Sequence, residues 1–393
     1  MPGCEPRMSN FGPGVRAQNL DPAAMGGVPE AMRDPQELRV AIFSDSMSER
    51  NGAGAYYHDL IAQLASRVGT VEIFQPAQKS RFLFLALPLP GDSTQKLITP
   101  NIFRLRRAYK KLQPNVVIAV TPGPFGMLGL WYARRQKTGF ITAFHTHFEE
   151  LVKLYGDTLF FRISHRYLVF INKVLCKRSR VVLVNNGDLV KTVEELHAPA
   201  VEIMGTPLPP VFLRKEQVPP PIPFRRVLFA GRLAPEKNLP AVMEAARSLP
   251  DLEFVLAGEG PLRKQLAREA ESMPNVRMTG WLEREQLLAE MDQCNVLLLP
   301  SYHETFGTVA LEAMARGRPA LVSEKAGIHH WSVLKDALFT IPTDKPLVDF
   351  LRPLQEKEAA FWQEKATAAR RAAEQLNAET IDQWVDLLQR HSS

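Results

Sequence analysis

Short runs of consecutive apolar residues alternate along this chain with longer stretches of helix-like periodicity. Arg39-Val40-Ala41-Ile42-Phe43-Ser44 has the pattern of a buried strand, and a helix is predicted from about Ala55 to Arg67. Further strands are predicted at 71–74, 115–120, 140–144, 181–184 and 201–204, with helical segments between most of them. A second series follows at 226–230, 253–257, 276–278, 296–299 and 320–322, and the last segment, from about Lys357 to Arg390, reads as helix. Apolar strands separated by helices predict parallel sheets covered on both faces.

A proline-rich segment interrupts the alternation: Pro207, Pro209, Pro210, Pro219-Pro220-Pro221 and Pro223. It divides the chain into two doubly wound α/β domains, residues 36–206 and 225–393, joined by a linker at 207–224. Residues 1–35 are rich in Gly, Pro, Ala and Met, show no periodicity and are expected to be a disordered extension, with Met25 and Met32 as alternative starts. They lack the basic start and apolar core of a secretory signal.

At 393 residues and 45% hydrophobic the chain has the composition of about two globular domains. Cys4, Cys176 and Cys294 share no ligand spacing and fit free thiols in a reducing, cytoplasmic compartment. No apolar run approaches the ~20 residues of a membrane-spanning helix, and the run from Phe82 to Pro90 is short and contains two prolines. The net charge of +6 is unevenly spread, because residues 37–212 hold 22 Lys and Arg against 13 Asp and Glu. Arg104, Arg106, Arg107, Lys110 and Lys111 cluster on one predicted helix, where part of the charge forms a stripe. Such a stripe suits an anionic membrane surface; a solvated basic helix explains it equally well.

The stretch from His303 to Ala315 carries the most chemistry. It follows an apolar strand and a Pro300-Ser301 turn and opens a short helix that stops at Gly317. Glu304 and Glu312 flank the helix start; in a continuous helix they would lie ~12 Å apart, about the reach from a hexose to the ribose of a nucleotide sugar. Free N–H groups at residues 306–309 would suit a diphosphate, and Gly307 removes a side chain where a ligand would come close. Two Glu eight apart also fit a plain solvated helix face, but the Phe306-Gly307 and Ala313-Met314-Ala315 context is more specific. After an earlier strand, Arg232 and Lys237 straddle a turn, from which both could reach one diphosphate.

At these residues the chain resembles the retaining glycosyltransferases of the GT-B fold, family GT4. The likeness rests on Glu304-Thr305-Phe306-Gly307, Glu312-Ala313-Met314-Ala315 and Gly231-Arg232-Leu233 with Lys237-Asn238, and it extends over about residues 38–390. It implies two Rossmann-like domains facing a central cleft, acceptor on the first and nucleotide sugar on the second, with the last helix packing back on the first. By the same resemblance Arg232 and Lys237 neutralise the leaving diphosphate, Glu304 orients the sugar and Glu312 the ribose. Phe306, Gly307 and Thr308 meet the diphosphate, backbone at Leu282 meets the base, and the loop with Gly52, Ala53 and Gly54 approaches the donor. His145, in Phe144-His145-Thr146-His147, faces the reacting sugar, and Thr121-Pro122-Gly123-Pro124 lies near the acceptor. Gly205-Thr206-Pro207-Leu208 and the loop after Val322 depart from the family pattern.

The expected activity is transfer of a hexosyl group from a UDP- or GDP-sugar to an acceptor, with a membrane lipid the leading candidate. No D-x-D motif stands in a suitable loop, so neither metal nor cofactor is implied, and no nucleic-acid partner is expected. The rivals are a nucleotide-sugar epimerase or a non-transferring binder on the same fold, and an NAD-type oxidoreductase, which the missing G-x-G-x-x-G disfavours.

Overall fold

Parallel strands build two separate six-stranded sheets in the computed structural model, which describes residues 32–45, 52–76, 86–89, 92–98, 100–144, 159–214, 216 and 218–393. The chain from Arg33 to Ser393 forms one compact unit. Its early strands are β1 (Arg39–Phe43) and β2 (Thr70–Phe74), followed by an antiparallel hairpin of β3 (Ala86–Leu89) and β4 (Asp92–Ile98). Next come β5 (Val116–Ala119), β6 (Gly139–Phe144), β7 (Val182–Val184) and β8 (Val201–Ile203). The first sheet runs β2-β1-β5-β6-β7-β8. The second contains β9 (Arg226–Ala230), β10 (Glu253–Ala257), β11 (Val276–Gly280), β12 (Val296–Leu299), β13 (Ala320–Ser323) and β14 (Leu338–Ile341), in the order β11-β10-β9-β12-β13-β14.

The central strands β5, β6, β12 and β13 are buried at every residue, as expected when helices cover both faces. On the first sheet, α1 (Gly52–Leu64) packs on one face, and α2 (Ile102–Leu112), α3 (Pro124–Gln136) and α4 (Leu159–Arg178) on the other. The helix α5 (Asp188–Glu195) follows β7. The second sheet carries α6 (Leu239–Ser248), α7 (Arg263–Ala270), α8 (Arg284–Gln293), α9 (Thr308–Ala315) and α10 (Val348–Gln355).

The last helix, α11 (Ala359–His391), is 33 residues long and serves both halves. Trp362 is fully buried in the core of the second sheet and stacks on Phe224, with ring centroids 5.0 Å apart. Six turns later Trp384 is fully buried in the core of the first and donates from Nε1 to the Tyr56 hydroxyl at 3.1 Å. Between them the Asn377 amide accepts from Leu208 N–H at 2.8 Å and exchanges two 2.9 Å bonds with Gln63. The proline-rich segment is also tied down. The buried Arg318 guanidinium donates to the carbonyls of Val218, Met291 and Asp292 at 2.7–2.9 Å, so its charge is met by peptide dipoles.

Both sheets reverse strand order beside their first strand, between β1 and β5 and between β9 and β12. In open parallel sheets, ligands bind outside the carboxyl ends of the strands at such a reversal. The loops after β9 and β12 contain Arg232, Lys237, Glu304 and Gly307.

Candidate functional site

The loop after β9 is held by its own packing. Leu233 and Ala234 are fully buried, and Leu233 exchanges bonds with the next loop, its N–H donating to Glu259 O and its carbonyl accepting from Leu262 N–H, both at 2.9 Å. Gly258 has to lack a side chain: its φ is +140° and a Cβ there would lie 1.9 Å from the Gly231 carbonyl oxygen. Pro235–Lys237 makes a 3₁₀ turn that ends on Asn238 at φ +53°, a conformation Asn tolerates. This turn presents Lys237, whose ammonium pairs with the Glu304 carboxylate. Both side chains are 16% exposed, so the pair is largely withdrawn from water yet reachable. Arg232 stands exposed in the same loop.

The loop after β12 is strapped on two sides. Tyr302 N–H donates to Glu236 O at 2.9 Å, which ties it to the Lys237 turn. Gly327 N–H donates to Glu304 O at 2.9 Å and Ile328 N–H to Phe306 O at 3.0 Å. From the other half of the molecule, Asn186 donates to Thr305 O at 2.6 Å. Phe306 is buried and anchors the segment, and Gly307 takes φ +99° to start α9. Residues 304–307 are therefore not helical, and the Glu304-to-Glu312 separation is not set by helical rise, contrary to the continuous-helix estimate. A bridge to Ala326 places Glu304 instead. The first N–H groups of α9, at Thr308 and Val309, are those a helix leaves without internal partners.

Glu312 lies on the second turn of α9. Its side chain keeps some solvent access, yet burial pushes its carboxyl up to about 8, against the pull of the Arg284 guanidinium and with a small push from Asp59. No hydrogen bond to this carboxylate forms among the described residues. Arg284, the first residue of α8, forks onto Asp59 of α1 through its two terminal guanidinium nitrogens, Nη1 donating to Oδ1 and Nη2 to Oδ2, the latter at 2.7 Å. Asp59 is only 3% exposed.

The other expected site residues fall in several places. Gly52, Ala53 and Gly54 form the first turn of α1 and not a loop before it, so the helix starts three residues earlier than the periodicity predicts. Leu282 packs its side chain partly buried on the second core and so offers a ligand its backbone at most. His145 lies outside the described residues, as does the 82–85 part of the early apolar run. Sequence reasoning missed Asp45, Asp59, Arg284 and Asn186. Asp45 accepts from Thr121 Oγ at 2.6 Å and from Phe125 N–H at 2.9 Å, so it fixes the start of α3 at the reversal of the first sheet. Burial pushes its carboxyl up, opposed by those hydrogen bonds. A basic depression of about 680 Å³ beside Arg39, Lys110 and Lys137 opens at the opposite, amino-terminal edge of the first sheet and contains none of these groups.

Comparison with known proteins decides what this arrangement belongs to. A model described as Glycosyltransferase Family 4 matches residues 50–207, and one described as Glycosyl transferases group 1 matches residues 214–346. The chain belongs to the GT4-type glycosyltransferases. A relative within this family, the GDP-mannose-dependent alpha-(1-6)-phosphatidylinositol dimannoside mannosyltransferase of Mycobacterium tuberculosis, is 37% identical over 107 residues, covering 26% of this chain and 28% of that protein. The matched stretches span less than half the length of such curated relatives. The fold is that of sucrose-phosphate synthase from Thermosynechococcus elongatus, with a TM-score of 0.70 at 16% identity over 90% of this chain and 98% of that one. It is also that of Anabaena HepE solved in complex with UDP-glucose, at 0.61 and 15% over 88% and 98%. Both are built as GT-B folds, like the two sheets here.

Proposed function

We propose that this GT4-type chain transfers a hexosyl group from a UDP- or GDP-sugar to an acceptor, with retention at the anomeric carbon and without a metal. The observation that carries the reading is the Lys237–Glu304 pair beside the start of α9, at the strand reversal of the second sheet. Arg232, Lys237 and the N–H groups at Phe306–Thr308 receive the diphosphate. They stabilise the charge that grows on it as the sugar–oxygen bond breaks. The acceptor oxygen bonds the anomeric carbon on the face the diphosphate leaves. Glu304 holds the sugar hydroxyls, Glu312 the ribose, Leu282 backbone the base, and His145 faces the sugar. Gly52–Gly54 at the start of α1 approach the donor from the first half. Donors of both kinds occur among similar proteins, GDP-mannose in the mycobacterial relative and UDP-glucose with HepE.

The acceptor is a lipid at an anionic membrane surface, and the protein is peripheral on its cytoplasmic face. The helices α2, α3 and α4, which share one face of the first sheet, carry twelve Lys and Arg and no Asp or Glu. The eleven of these cations whose side chains are described are all exposed. Phe103, 88% exposed, and Phe170, 63% exposed, stand among them. Each such cation contributes ~1 kcal/mol near an anionic bilayer. No helix among the described residues is long and apolar enough to cross a membrane. Co-sedimentation should show binding to anionic vesicles that high salt reverses and little binding to neutral ones. Binding indifferent to lipid charge, or no binding, would leave a soluble acceptor as the better reading. A donor epimerised without acceptor would favour the epimerase instead, and a donor left intact with every acceptor supplied would favour the binder.

A further inference from the structure

Asn186 reaches the loop after β12 from the first half of the molecule. It lies just past the carboxyl end of β7 and is 3% exposed. Leu189 N–H, in the first turn of α5, donates to its Oδ1 at 3.2 Å, and its Nδ2 donates to Thr305 O at 2.6 Å. One end of the amide is thus fixed within the first half while the other serves the second. A Cβ on Gly327 would lie 1.9 Å from Thr305 O and 3.0 Å from Asn186 Nδ2, so only glycine lets the amide approach there. The same seat brings His330 Nε2 to 3.7 Å from an Asp188 oxygen. Gly327 and His330 belong to the loop after Val322, one of the two places where the chain departs from the family pattern.

Three successive carbonyls of this loop are held by three different donors. Gly327 N–H holds Glu304 O and Ile328 N–H holds Phe306 O, both from the second half. The carbonyl between them, Thr305 O, is held from the first half by Asn186. That carbonyl shares its peptide plane with the Phe306 N–H, and a trans peptide points the two in opposite directions. A donor on the carbonyl therefore fixes where the N–H points. Phe306 is buried, and its N–H has no acceptor among the described residues, which leaves it for a ligand.

We propose that Asn186 is a positioning residue for the donor diphosphate, setting the Thr305–Phe306 peptide from the first half so that the Phe306 N–H faces that group, an inference that rests on the assignment of Phe306–Thr308 to the diphosphate. Asn186 acts without touching the donor. Removing its amide frees the peptide to turn. An oxygen in place of the amide nitrogen repels the Thr305 carbonyl and drives the N–H away from the ligand.

Asn186→Asp keeps the side-chain shape and the oxygen that accepts from Leu189, and exchanges the amide donor for an oxygen. Calorimetric titration of the full chain with UDP and GDP, beside NMR titration with uridine and guanosine, isolates the part of binding due to the diphosphate. Asn186→Asp should weaken whichever nucleoside diphosphate the natural sequence binds by about tenfold or more, and the matching nucleoside by less than about threefold. Asn186→Ser is too short to reach Thr305 and brings no repelling charge, so its loss should be smaller and equally confined to the diphosphate. Thermal melts identify a variant that fails to fold, and Asn186→Ser then stands in for Asn186→Asp. Diphosphate affinity within about threefold of the natural sequence, or equal losses for diphosphate and nucleoside, would overturn the role of Asn186 while leaving the donor assignment intact. A natural chain that binds the diphosphate no more tightly than the nucleoside would remove the diphosphate assignment and the inference with it.

Discussion

Replacing Glu312 by Gln separates the cost of this carboxylate from its use. A glutamate that ordinarily ionises at 4.5 and here ionises at about 8 binds a proton more tightly folded than unfolded. Its contribution to stability is therefore fully present below pH 4.5. It falls as pH rises through about 8 and is gone above that. The full loss is on the order of 5 kcal/mol once the group is ionised in both states. Gln has nearly the same shape and does not titrate, so Glu312→Gln should gain stability over the natural sequence as pH rises from 5.5 to 9. Denaturant unfolding without nucleotide at both pH values measures that difference. At pH 9, where the carboxyl is ionised, donor binding should move the other way, because a hydrogen bond to a charged acceptor contributes about 1.5–3 kcal/mol. The nucleotide sugar should then bind roughly 10- to 150-fold more weakly. A stability difference that does not change with pH would refute the burial argument, and unchanged donor affinity would refute the ribose role.

Other perturbations follow from the same geometry. Lys237→Met removes a cation from both Glu304 and the leaving diphosphate and should lower kcat by about 10²–10³ in steady-state assays; an unchanged kcat would exclude that role. Gly307→Ala puts a Cβ at φ +99° and 3.0 Å from a Leu299 methyl, and should destabilise the fold by at least about 1–2 kcal/mol in denaturant unfolding. EDTA should leave transfer intact, since Arg232 and Lys237 supply the positive charge a metal provides elsewhere; activity lost to EDTA and restored by magnesium or manganese would contradict this.

The local features of the fold were legible in the sequence. Strand 296–299 coincides with its apolar run, and strands 226–230 and 253–257 add one half-buried charged residue, Arg226 and Glu253, ahead of theirs, because the buried length of a parallel strand is apolar. The strand at 338–341 escaped notice because its short apolar run, Leu338-Phe339 and Ile341, is broken by the exposed Thr340 at a sheet edge. The hairpin of 86–98 was hidden by Pro88 on one strand and by the polar residues of the other. Glycines at 52 and 54 read as loop because their helical propensity is poor, yet they open α1. The site divides in the same way. Glu304, Gly307 and Glu312 fall within nine residues and leave a motif. Lys237 and Glu304 are 67 residues apart, and Asp59 and Arg284 are 225 apart. The first pairing is set by β9 and β12 lying side by side in one sheet and the second by how the two sheets are placed, and no local pattern encodes either.

The central claim is group transfer from a nucleotide sugar. The most direct test incubates the full chain with UDP- or GDP-hexoses and vesicles containing candidate lipid acceptors, and follows free nucleoside diphosphate together with the anomeric configuration of the product. The account predicts diphosphate release that depends on acceptor and a product with the donor's configuration. Release that ignores acceptor, or a product of inverted configuration, would contradict it.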